Sequence, residues 1–351
     1  MSAAPVEQRR EPLLSICIPT YNRARFLRIM LEALIPQAEA LDGLVEVIVS
    51  DNASTDDTKA VVESAQGTGT VVYSQNAHNL GPLANIVKPA TELATGKYVW
   101  VLGDHNLLKP AALARVVDVL TANPDRRVFY ANFVCARYPE DWPDSAMSGY
   151  DGHYEYPGNA STTDHPVDRW SRLVLGGRSA LGTQSYAHIV EQSVWHQFWK
   201  GREVDSSFSS ALSTYPHTVM ITETLFDAES YYIGKPVLTI FNGAQSWGTP
   251  ELKRQVYFKT LPELLRLFSQ RGLPLDHRTG ARKFASLMAA QTSSDLFATV
   301  RGAKRVRLLV SLLKDAARNS YLIRPVWRSF RDSRPASRSV GQKKDAQEVH
   351  A

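Results

Sequence analysis

The chain has 351 residues, 44% of them hydrophobic and 21% charged, and this ordinary globular composition excludes a disordered or fibrous protein. Its two cysteines, Cys17 and Cys135, are too few for a disulfide framework. The net charge of +5 is uneven: residues 301–351 hold 13 Lys and Arg against 4 Asp and Glu, a local balance of +9 that leaves −4 for the first 300 residues. No apolar run approaches the roughly 18 residues that span a bilayer, and no signal peptide is visible. We therefore expect a cytoplasmic protein, soluble or peripheral, with a basic tail.

Strands and helices alternate through the first 135 residues. Short apolar runs predict strands, and apolar residues at spacings of three and four predict helices. The predicted strands are 13–18, 45–50, 70–73, 97–102 and 127–134, and the helices between them are 25–36, 56–65, 83–94 and 110–122. Crossovers of this length allow parallel pairing, so the pattern predicts a doubly wound α/β sheet.

The second half of the chain has a weaker pattern. Residues 137–169 are rich in Pro, Gly, Asp and aromatic residues and have no periodicity. A loop of this length is usually a lid or a binding loop, and a disordered insertion is the alternative. Further on, the sequence predicts strands near 186–190 and 231–241. It also predicts a short helix at 193–199, a second helix that ends at about 227, and a helical region from 250 to about 330.

A polar cluster follows the most apolar of these strands, where the run 97–102 stops at Gly103, Asp104, His105 and Asn106. Open α/β sheets bind their ligands at the carboxyl ends of strands. Two side-chain oxygens with an imidazole between them can hold a divalent cation or hydrogen-bond a sugar diphosphate. This stretch is therefore a candidate ligand site.

Several motifs, in this order, resemble family 2 glycosyltransferases, which have a GT-A (Rossmann-like) fold. Residues 14–23 resemble the opening strand and loop of that family, and residues 45–58 resemble its second strand. The segments 79–81 and 94–98 resemble its N-x-G and A-x-G-K-Y motifs, and residues 103–106 fall at its metal-binding Asp-x-Asp. The Gly-Asp pair is closest to abequosyltransferase-like enzymes of O-antigen assembly. The resemblance is good over residues 13–135 and weak beyond about 240.

The resemblance implies an inverting glycosyltransferase. It would move a sugar from a nucleotide-sugar donor to a glycan or lipid-linked acceptor in surface-polysaccharide synthesis. Thr20 and Tyr21 would line the nucleobase slot, and Asp51 would accept a hydrogen bond from the ribose or the base. The donor-binding residues that it implies are Pro19, Thr20, Tyr21, Asn22, Arg23, Asp51, Asn52, Asn79, Gly81, Gly103 and Asp104.

The metal-binding motif departs from the family pattern, because its third position is Asn106 and its middle position is His105. Asp104, His105 and Asn106 would form a softer site than two carboxylates, better suited to Mn²⁺ than to Mg²⁺. Three outcomes follow: a working Mn²⁺ site, a metal-independent enzyme, or an inactive one.

The attacking hydroxyl of such a reaction needs a general base. In many members of the family that this chain resembles, the base is an acidic residue at the start of a helix. The segment that corresponds to it here, 213–218, contains no carboxylate, so His217 is the candidate, and the ordinary pKa of histidine suits the task. Glu223 and Asp205 are the alternatives.

The C-terminal region combines apolar helix faces with arginines, and it includes Trp327 and Phe330. Such a segment is typical of a helix that lies on an anionic membrane surface; an ordinary packed helix is the alternative. No module for nucleic-acid binding accompanies the basic tail.

These patterns predict a domain organisation. It comprises a disordered leader (1–12), a nucleotide-sugar-binding half (13–135), an acceptor-binding half (136–248), a basic helical region (249–330) and a disordered tail (331–351).

Rival functions fit less well. A dehydrogenase would need G-x-G-x-x-G after the first strand, and a nucleotidyltransferase would need a Gly-rich phosphate loop there; Pro19 to Arg23 supplies neither. A non-catalytic scaffold or sugar-nucleotide-binding partner of the same fold is the remaining alternative, and Asn106 is the feature that favours it.

Overall fold

The structure is a computed structural model, and it describes residues 11–65, 70–138, 147, 150, 152, 155–159, 161–175, 183–242, 249–273 and 280–333. Within this part of the chain one sheet of ten strands forms the centre of the fold. The strands are β1 (Leu14–Thr20), β2 (Val45–Asp51), β3 (Val71–Gln75), β4 (Tyr98–Val101), β5 (Asn106–Leu108), β6 (Val128–Arg137), β7 (Glu155–Pro157), β8 (His165–Val167), β9 (His188–Glu191) and β10 (Ser230–Asn242).

Helices connect and cover the strands. The helices are α1 (Ala24–Glu39), α2 (Thr58–Ala65), α3 (Pro82–Lys88), α4 (Ala112–Ala122), α5 (Trp170–Leu175), α6 (Gln192–Trp199), α7 (Ala211–Thr214), α8 (Pro216–Thr224), α9 (Pro250–Gln255), α10 (Leu261–Gln270), α11 (Gly280–Ala298), α12 (Ala303–Ala316) and α13 (Ile323–Asp332). The longest crossover helix, α1, buries Leu27, Leu31 and Leu34 at the spacing that its sequence predicts.

The strand order is β3-β2-β1-β4-β9-β6-β10-β5, with β7 beside β6 and β8 beside β10. Among the described strand pairs four are parallel and five antiparallel. The predicted α/β class is confirmed, but the sheet is mixed instead of mostly parallel. The difference arises because β9 runs antiparallel between β4 and β6, and hydrophobic patterning carries no information on strand direction.

The helix predicted over 83–94 is interrupted at Pro89. α3 ends at Lys88, and a π-helical turn, Pro89–Leu93, follows. At the first strand the prediction was wrong, because β1 continues through Pro19 to Thr20. The last β4 residue paired with β1 is Val101, opposite Cys17, so the missing N–H of Pro19 costs no hydrogen bond to β4.

Several residues predicted to lie in loops form strands. Asn106 begins β5, which pairs antiparallel with β10 through Asn106 and Ile240. Within the predicted loop 137–169, β7 and β8 join the edges of β6 and β10. The remaining parts of that loop lie outside the described residues, as do residues 1–10 and 334–351, where disorder was predicted.

The chain divides into two compact units, one ending at Ala285 and the other beginning at Ser286. The first unit contains the sheet and its hydrophobic core, in which Trp100, Phe129 and Ile16 are fully buried. In the second unit, Phe297 and Phe330 pack edge to face at 5.3 Å. The predicted division of the sheet-containing part into a donor half and an acceptor half stays a prediction. No described helix is both long enough and apolar enough to cross a membrane.

Candidate active site

The carboxyl ends of three neighbouring strands, β2, β1 and β4, lie side by side in the sheet. β1 pairs in parallel with β2 and with β4, and Thr20 lies directly across from Asp51 at the last pair of β1 and β2. β4 ends at Val101, and the chain reaches Asp104 three residues later. The carboxylates of Asp51 and Asp104 therefore belong to the carboxyl ends of neighbouring parallel strands, where α/β sheets bind ligands.

Asp104 is the centre of a nearly buried polar cluster. Its Oδ2 accepts a hydrogen bond from Thr20 Oγ1 at 3.0 Å. Its Oδ1 lies 3.2 Å from Arg23 Nε and 3.1 Å from His105 Nδ1. The side chains of Arg23 and Asp104 are 12% and 10% exposed, and the Arg23 guanidinium lies 4.1 Å from the ring centroid of Phe26. Three predicted donor-binding residues are thus brought together.

Asn106 and Gly103 form the turn beside this cluster. The side-chain oxygen of Asn106 accepts a hydrogen bond from the Gly103 amide at 2.7 Å, and Asn106 is 1% exposed. A Cβ at Gly103 would lie 3.1 Å from Cε1 of His105, so a larger residue would crowd the turn. The side-chain nitrogen of Asn106, Nδ2, is buried and has no hydrogen-bond partner among the described residues.

Asp51 is fully buried, and its carboxylate accepts hydrogen bonds from three of the described residues. The donors are the Tyr73 hydroxyl at 2.7 Å, Gln75 Nε2 at 3.1 Å and the Ser54 amide at 2.9 Å. Burial, and then the hydrogen bond to Asp51, raises the pKa of Tyr73, so its phenol remains a donor. Tyr73 and Gln75 were not identified from the sequence, because only the pairing of β2 with β3 brings them to Asp51.

Asn52 fixes the loop that follows β3. Its Oδ1 accepts hydrogen bonds from the Leu80 amide at 2.8 Å and from Asn76 Nδ2 at 3.1 Å, and its Nδ2 donates to Asn79 Oδ1 at 2.8 Å. Gly81 has a φ of 82°, a left-handed conformation that favours glycine. These three predicted residues therefore shape one loop at the sheet edge, and their contact with a donor stays a prediction.

A buried amide that the sequence analysis missed connects this loop to β1 and β2. Asn85 Oδ1 accepts from Ser50 Oγ at 2.7 Å and from Asn76 Nδ2 at 3.0 Å, and Asn85 Nδ2 donates to the carbonyls of Ser50 at 2.9 Å and Thr20 at 3.3 Å. Asn85 lies in α3, where a polar residue in a helical pattern is normally assigned to the solvent face.

The loop after β1 is tied to the loop after β2. Asn22, at a φ of 53°, donates its amide to Ser54 Oγ at 2.8 Å and accepts from the Thr55 amide at 2.7 Å. Tyr21, between β1 and this contact, is 44% exposed. Its ring is therefore accessible to a ligand, whereas Thr20, the other residue predicted to line the nucleobase slot, is 3% exposed and bound to Asp104.

His217, the predicted base, lies in a buried cluster of rings. It is 4% exposed, its Nε2 lies 3.0 Å from Thr218 Oγ1, and its ring centroid is 5.6 Å from that of His188. His188 begins β9, whose antiparallel pairing places it towards the carboxyl end of β4. His217 therefore lies next to a residue near the carboxyl end of β4, the strand that leads to Asp104, and its catalytic role stays a prediction.

The two alternative bases are carboxylates with partners of their own. Glu223 lies 3.2 Å from Arg202. Asp205 accepts hydrogen bonds from Ser207 and Ser209, and these bonds lower the pKa of Asp205. A lowered pKa makes a carboxylate a weaker base.

A cavity of about 630 Å³ lies beside β6 and β10. Its wall includes the stacked rings of Tyr130 and Tyr232, whose centroids are 5.7 Å apart, and Asn159, whose Nδ2 donates to the Tyr130 hydroxyl at 3.2 Å. His165 and Arg172 also line it. The described part of the 137–169 segment thus contributes to the wall of a pocket, and its role as a binding loop stays a prediction.

The sequence and the fold identify the class of protein. The family model described as glycosyl transferase family 2 matches residues 15–181, and this part of the chain belongs to that family. The structure resembles S. aureus TarS 1–349 in complex with UDP, with a TM-score of 0.55 and 14% identity over 92% of this chain and 93% of that one. The fold is therefore GT-A, as the sequence predicted.

Two curated relatives have more specific names. Abequosyltransferase RfbV of Salmonella typhimurium is 28% identical over 236 residues, which cover 64% of this chain and 66% of the relative. A GalNAc(5)-diNAcBac-PP-undecaprenol beta-1,3-glucosyltransferase of Campylobacter jejuni is 34% identical over 110 residues, or 30% of this chain and 34% of the relative. The matches thus span less than two thirds of these relatives' lengths.

GT-A enzymes often use a divalent metal ion, but the residues here do not fit one well. Both oxygens of Asp104 already accept hydrogen bonds, one from the positively charged Arg23. The Asn106 oxygen is buried against Gly103, and the described residues contain no group of three or more His, Cys, Asp or Glu able to hold a metal. Mg²⁺ and Mn²⁺ prefer several accessible oxygen ligands.

Proposed function

We propose that this chain is an inverting glycosyltransferase that transfers a sugar from a nucleotide-sugar donor to a glycan or lipid-linked acceptor in surface-polysaccharide synthesis. The observation that carries the proposal is the Asp104 cluster, held with Thr20 and Arg23 at the carboxyl edge of a family 2 domain. The names of the Salmonella and Campylobacter relatives support the pathway class, and the UDP and UDP-GlcNAc complexes of TarS support a nucleotide-sugar donor. No comparison favours the scaffold alternative.

In the proposed reaction the acceptor hydroxyl oxygen attacks the anomeric carbon of the donor sugar. The bond from that carbon to the diphosphate oxygen breaks, and its electron pair leaves with the nucleoside diphosphate. The hydroxyl proton passes to a general base, and the configuration at the anomeric carbon is inverted. The base must hold the proton, and a positive charge must face the leaving diphosphate.

Donor binding is tested by unfolding the full chain with UDP-, GDP-, CDP- and dTDP-sugars. A donor at 100 times its dissociation constant adds about 2.7 kcal/mol to the free energy of unfolding, so its midpoint shifts visibly. We expect a shift with one nucleotide class, followed by transfer to a lipid-linked acceptor. No shift with any of the four would contradict the proposal.

We assign the general base to His217. Replacing His217 with Gln should lower kcat by roughly 100-fold or more, because general-base catalysis contributes that much, and should remove the acidic limb of the pH profile. His196→Gln, an exposed change on α6, is the control. An unchanged pH profile in a folded His217→Gln variant would exclude the assignment.

We also propose that the second unit binds the inner face of the cytoplasmic membrane. Ile323 and Trp327, one turn apart on α13, are 40% and 55% exposed, and Arg324 and Arg328 beside them are exposed as well. An exposed apolar and basic face of this kind suits an anionic lipid surface.

Sedimentation with phosphatidylcholine vesicles, with and without phosphatidylglycerol, tests this surface. We expect binding that needs phosphatidylglycerol, weakens with salt and falls on Trp327→Ser. Val72→Ser, at a residue 44% exposed on β3, is the control. Equal binding by both variants would contradict the proposed surface.

A further inference from the structure

A positively charged side chain, Arg23, lies beside Asp104 at the candidate donor site. Arg23 occupies the N-cap position of α1, immediately after the β1 loop. Its Nε lies 3.2 Å from Asp104 Oδ1, and its guanidinium lies 4.1 Å from the ring centroid of Phe26. A carboxylate on one side and an aromatic face on the other therefore fix the position of this charge.

The same contacts oppose a divalent ion at Asp104. A metal bound to Oδ1 would lie beside the fixed guanidinium, and a metal bound to Oδ2 would have to share that oxygen with the Thr20 hydroxyl. The Asn106 oxygen already accepts a 2.7 Å hydrogen bond from the Gly103 amide, and Asn106 is 1% exposed, so a metal could reach this oxygen only if the turn opened. The position that a second carboxylate ligand would need is thus closed.

Arginine has the chemistry that the leaving group requires. Its charge persists at every working pH, and its planar donors match phosphate oxygens. A positive group held rigidly where negative charge develops stabilises the transition state without reorganisation.

We propose that Arg23, positioned by Asp104, faces the donor diphosphate in place of a divalent metal ion, and that transfer by this chain is metal-independent. This inference rests on the proposed glycosyltransferase function. It makes Arg23 a catalytic residue, and it makes Asp104 a positioning residue instead of a metal ligand.

The test measures binding of UDP, GDP, CDP and dTDP, and of the corresponding nucleosides, by calorimetry with the full chain in EDTA and then in Mn²⁺. We expect the nucleoside diphosphate that binds to do so with equal affinity, within about threefold, in both conditions. Replacing Arg23 with Gln should weaken its binding roughly 10- to 100-fold, as for the loss of a charged hydrogen bond, and leave the nucleoside unchanged. If Arg23 only held the loop, replacing it would weaken the binding of the nucleoside as much as that of the nucleoside diphosphate.

Two variants control for folding and for charge. Arg28→Gln removes an exposed charge from the same helix and should bind as the wild type does. Asp104→Asn keeps an oxygen acceptor for Arg23, so binding in EDTA should fall less than with Arg23→Gln. The double variant Arg23→Gln/Asp104→Asn leaves no unpaired buried charge and should show the same selective loss of the diphosphate.

The outcomes separate the two proposals. Binding that requires Mn²⁺ and is lost in Asp104→Asn would overturn the role of Arg23 while preserving the glycosyltransferase. Wild-type diphosphate affinity in the folded double variant would do the same. No binding of any nucleotide to the wild type would overturn both.

Discussion

His188 is a buried histidine that should make stability depend on pH. Burial lowers the pKa of His188 to about 4, although its Nδ1 lies 3.0 Å from the Gln184 carbonyl, a contact that partly opposes the shift. The unfolded chain has a histidine pKa near 6.5, so between these values it binds more protons than the folded chain, and stability falls as the pH falls. The loss should approach about 3 kcal/mol from pH 7 to pH 4.

The contribution of His188 is measured by urea unfolding at several pH values. His188→Phe keeps a ring but cannot titrate, so its unfolding free energy should vary less between pH 7 and pH 4 than that of the wild type. His196→Gln, at an exposed position, should retain the wild-type slope. Parallel curves for wild type and His188→Phe would show that His188 is not the titrating group.

Asn106 fills the third position of the predicted metal-binding motif. Asn106→Asp restores the Asp-x-Asp pattern of the family, but it places a carboxylate in a site that is 1% exposed. Because burying an unpaired charge is costly, the variant should be less stable than the wild type at pH 7, by about 1–3 kcal/mol. Mn²⁺ should not restore that loss. Stabilisation by Mn²⁺ in calorimetry would show that the position can bind metal after all.

At the scale of elements, the start of α3 packs closely against residue 206. A Cβ at Gly81 would lie 2.4 Å from Ser206 Cβ, and Gly81 has a φ of 82°. Gly81→Ala should therefore strain a backbone conformation that favours glycine, with a φ of 82° and a ψ of 165°, by about 1–3 kcal/mol, and the clash adds to this cost. Gly43→Ala is a matched control, because Gly43 has a φ of 77° with nothing within 4 Å of its Cβ position.

The difference between these two alanine variants in urea unfolding measures the packing at α3. Ser206→Gly should restore the free energy of unfolding that Gly81→Ala loses in excess of Gly43→Ala. The remaining loss should then equal that of Gly43→Ala. Equal losses of unfolding free energy in the two single variants would mean that Ser206 can move aside without cost.

Sequence patterns identified the long buried strands and missed the shortest one. The apolar runs of β1, β2 and β4 identified these strands because each buries nearly all of its residues. The three residues of β5 were missed because so short a segment becomes a strand only by pairing with β10, more than 100 residues away. Local patterning cannot register a partner at that distance.

The division of the chain into two compact units predicts that a substitution in one unit can destabilise that unit alone. Arg305 joins α12 to α13: it donates to the carbonyl of Phe330 at 2.7 Å and to that of Ser333 at 2.9 Å, and it lies over the rings of Phe297 and Phe330. Arg305→Ala should destabilise this packing by about 1–3 kcal/mol. Amide exchange in α12 and α13 should accelerate roughly 5- to 100-fold, while exchange in β1 and β4 stays unchanged.

Hydrogen-exchange mass spectrometry tests that prediction on the full chain. Arg307→Ala, an exposed change on the same helix, is the control. Equal acceleration in β1 and β4 would show that the two units unfold together.

Hydrophobic periodicity was enough to identify the α/β class, because the burial of apolar faces sets the pattern of short stretches of chain. The resemblance of the ordered motifs identified the GT-A fold and the family. The contacts of Asp104 were not predicted from the sequence. Thr20 and Arg23 reach it across 84 and 81 residues, and Asn106 is withdrawn into β5 by pairing with β10. Which charge faces a ligand at this edge depends on distances between separate strand ends, and only the folded sheet sets those distances.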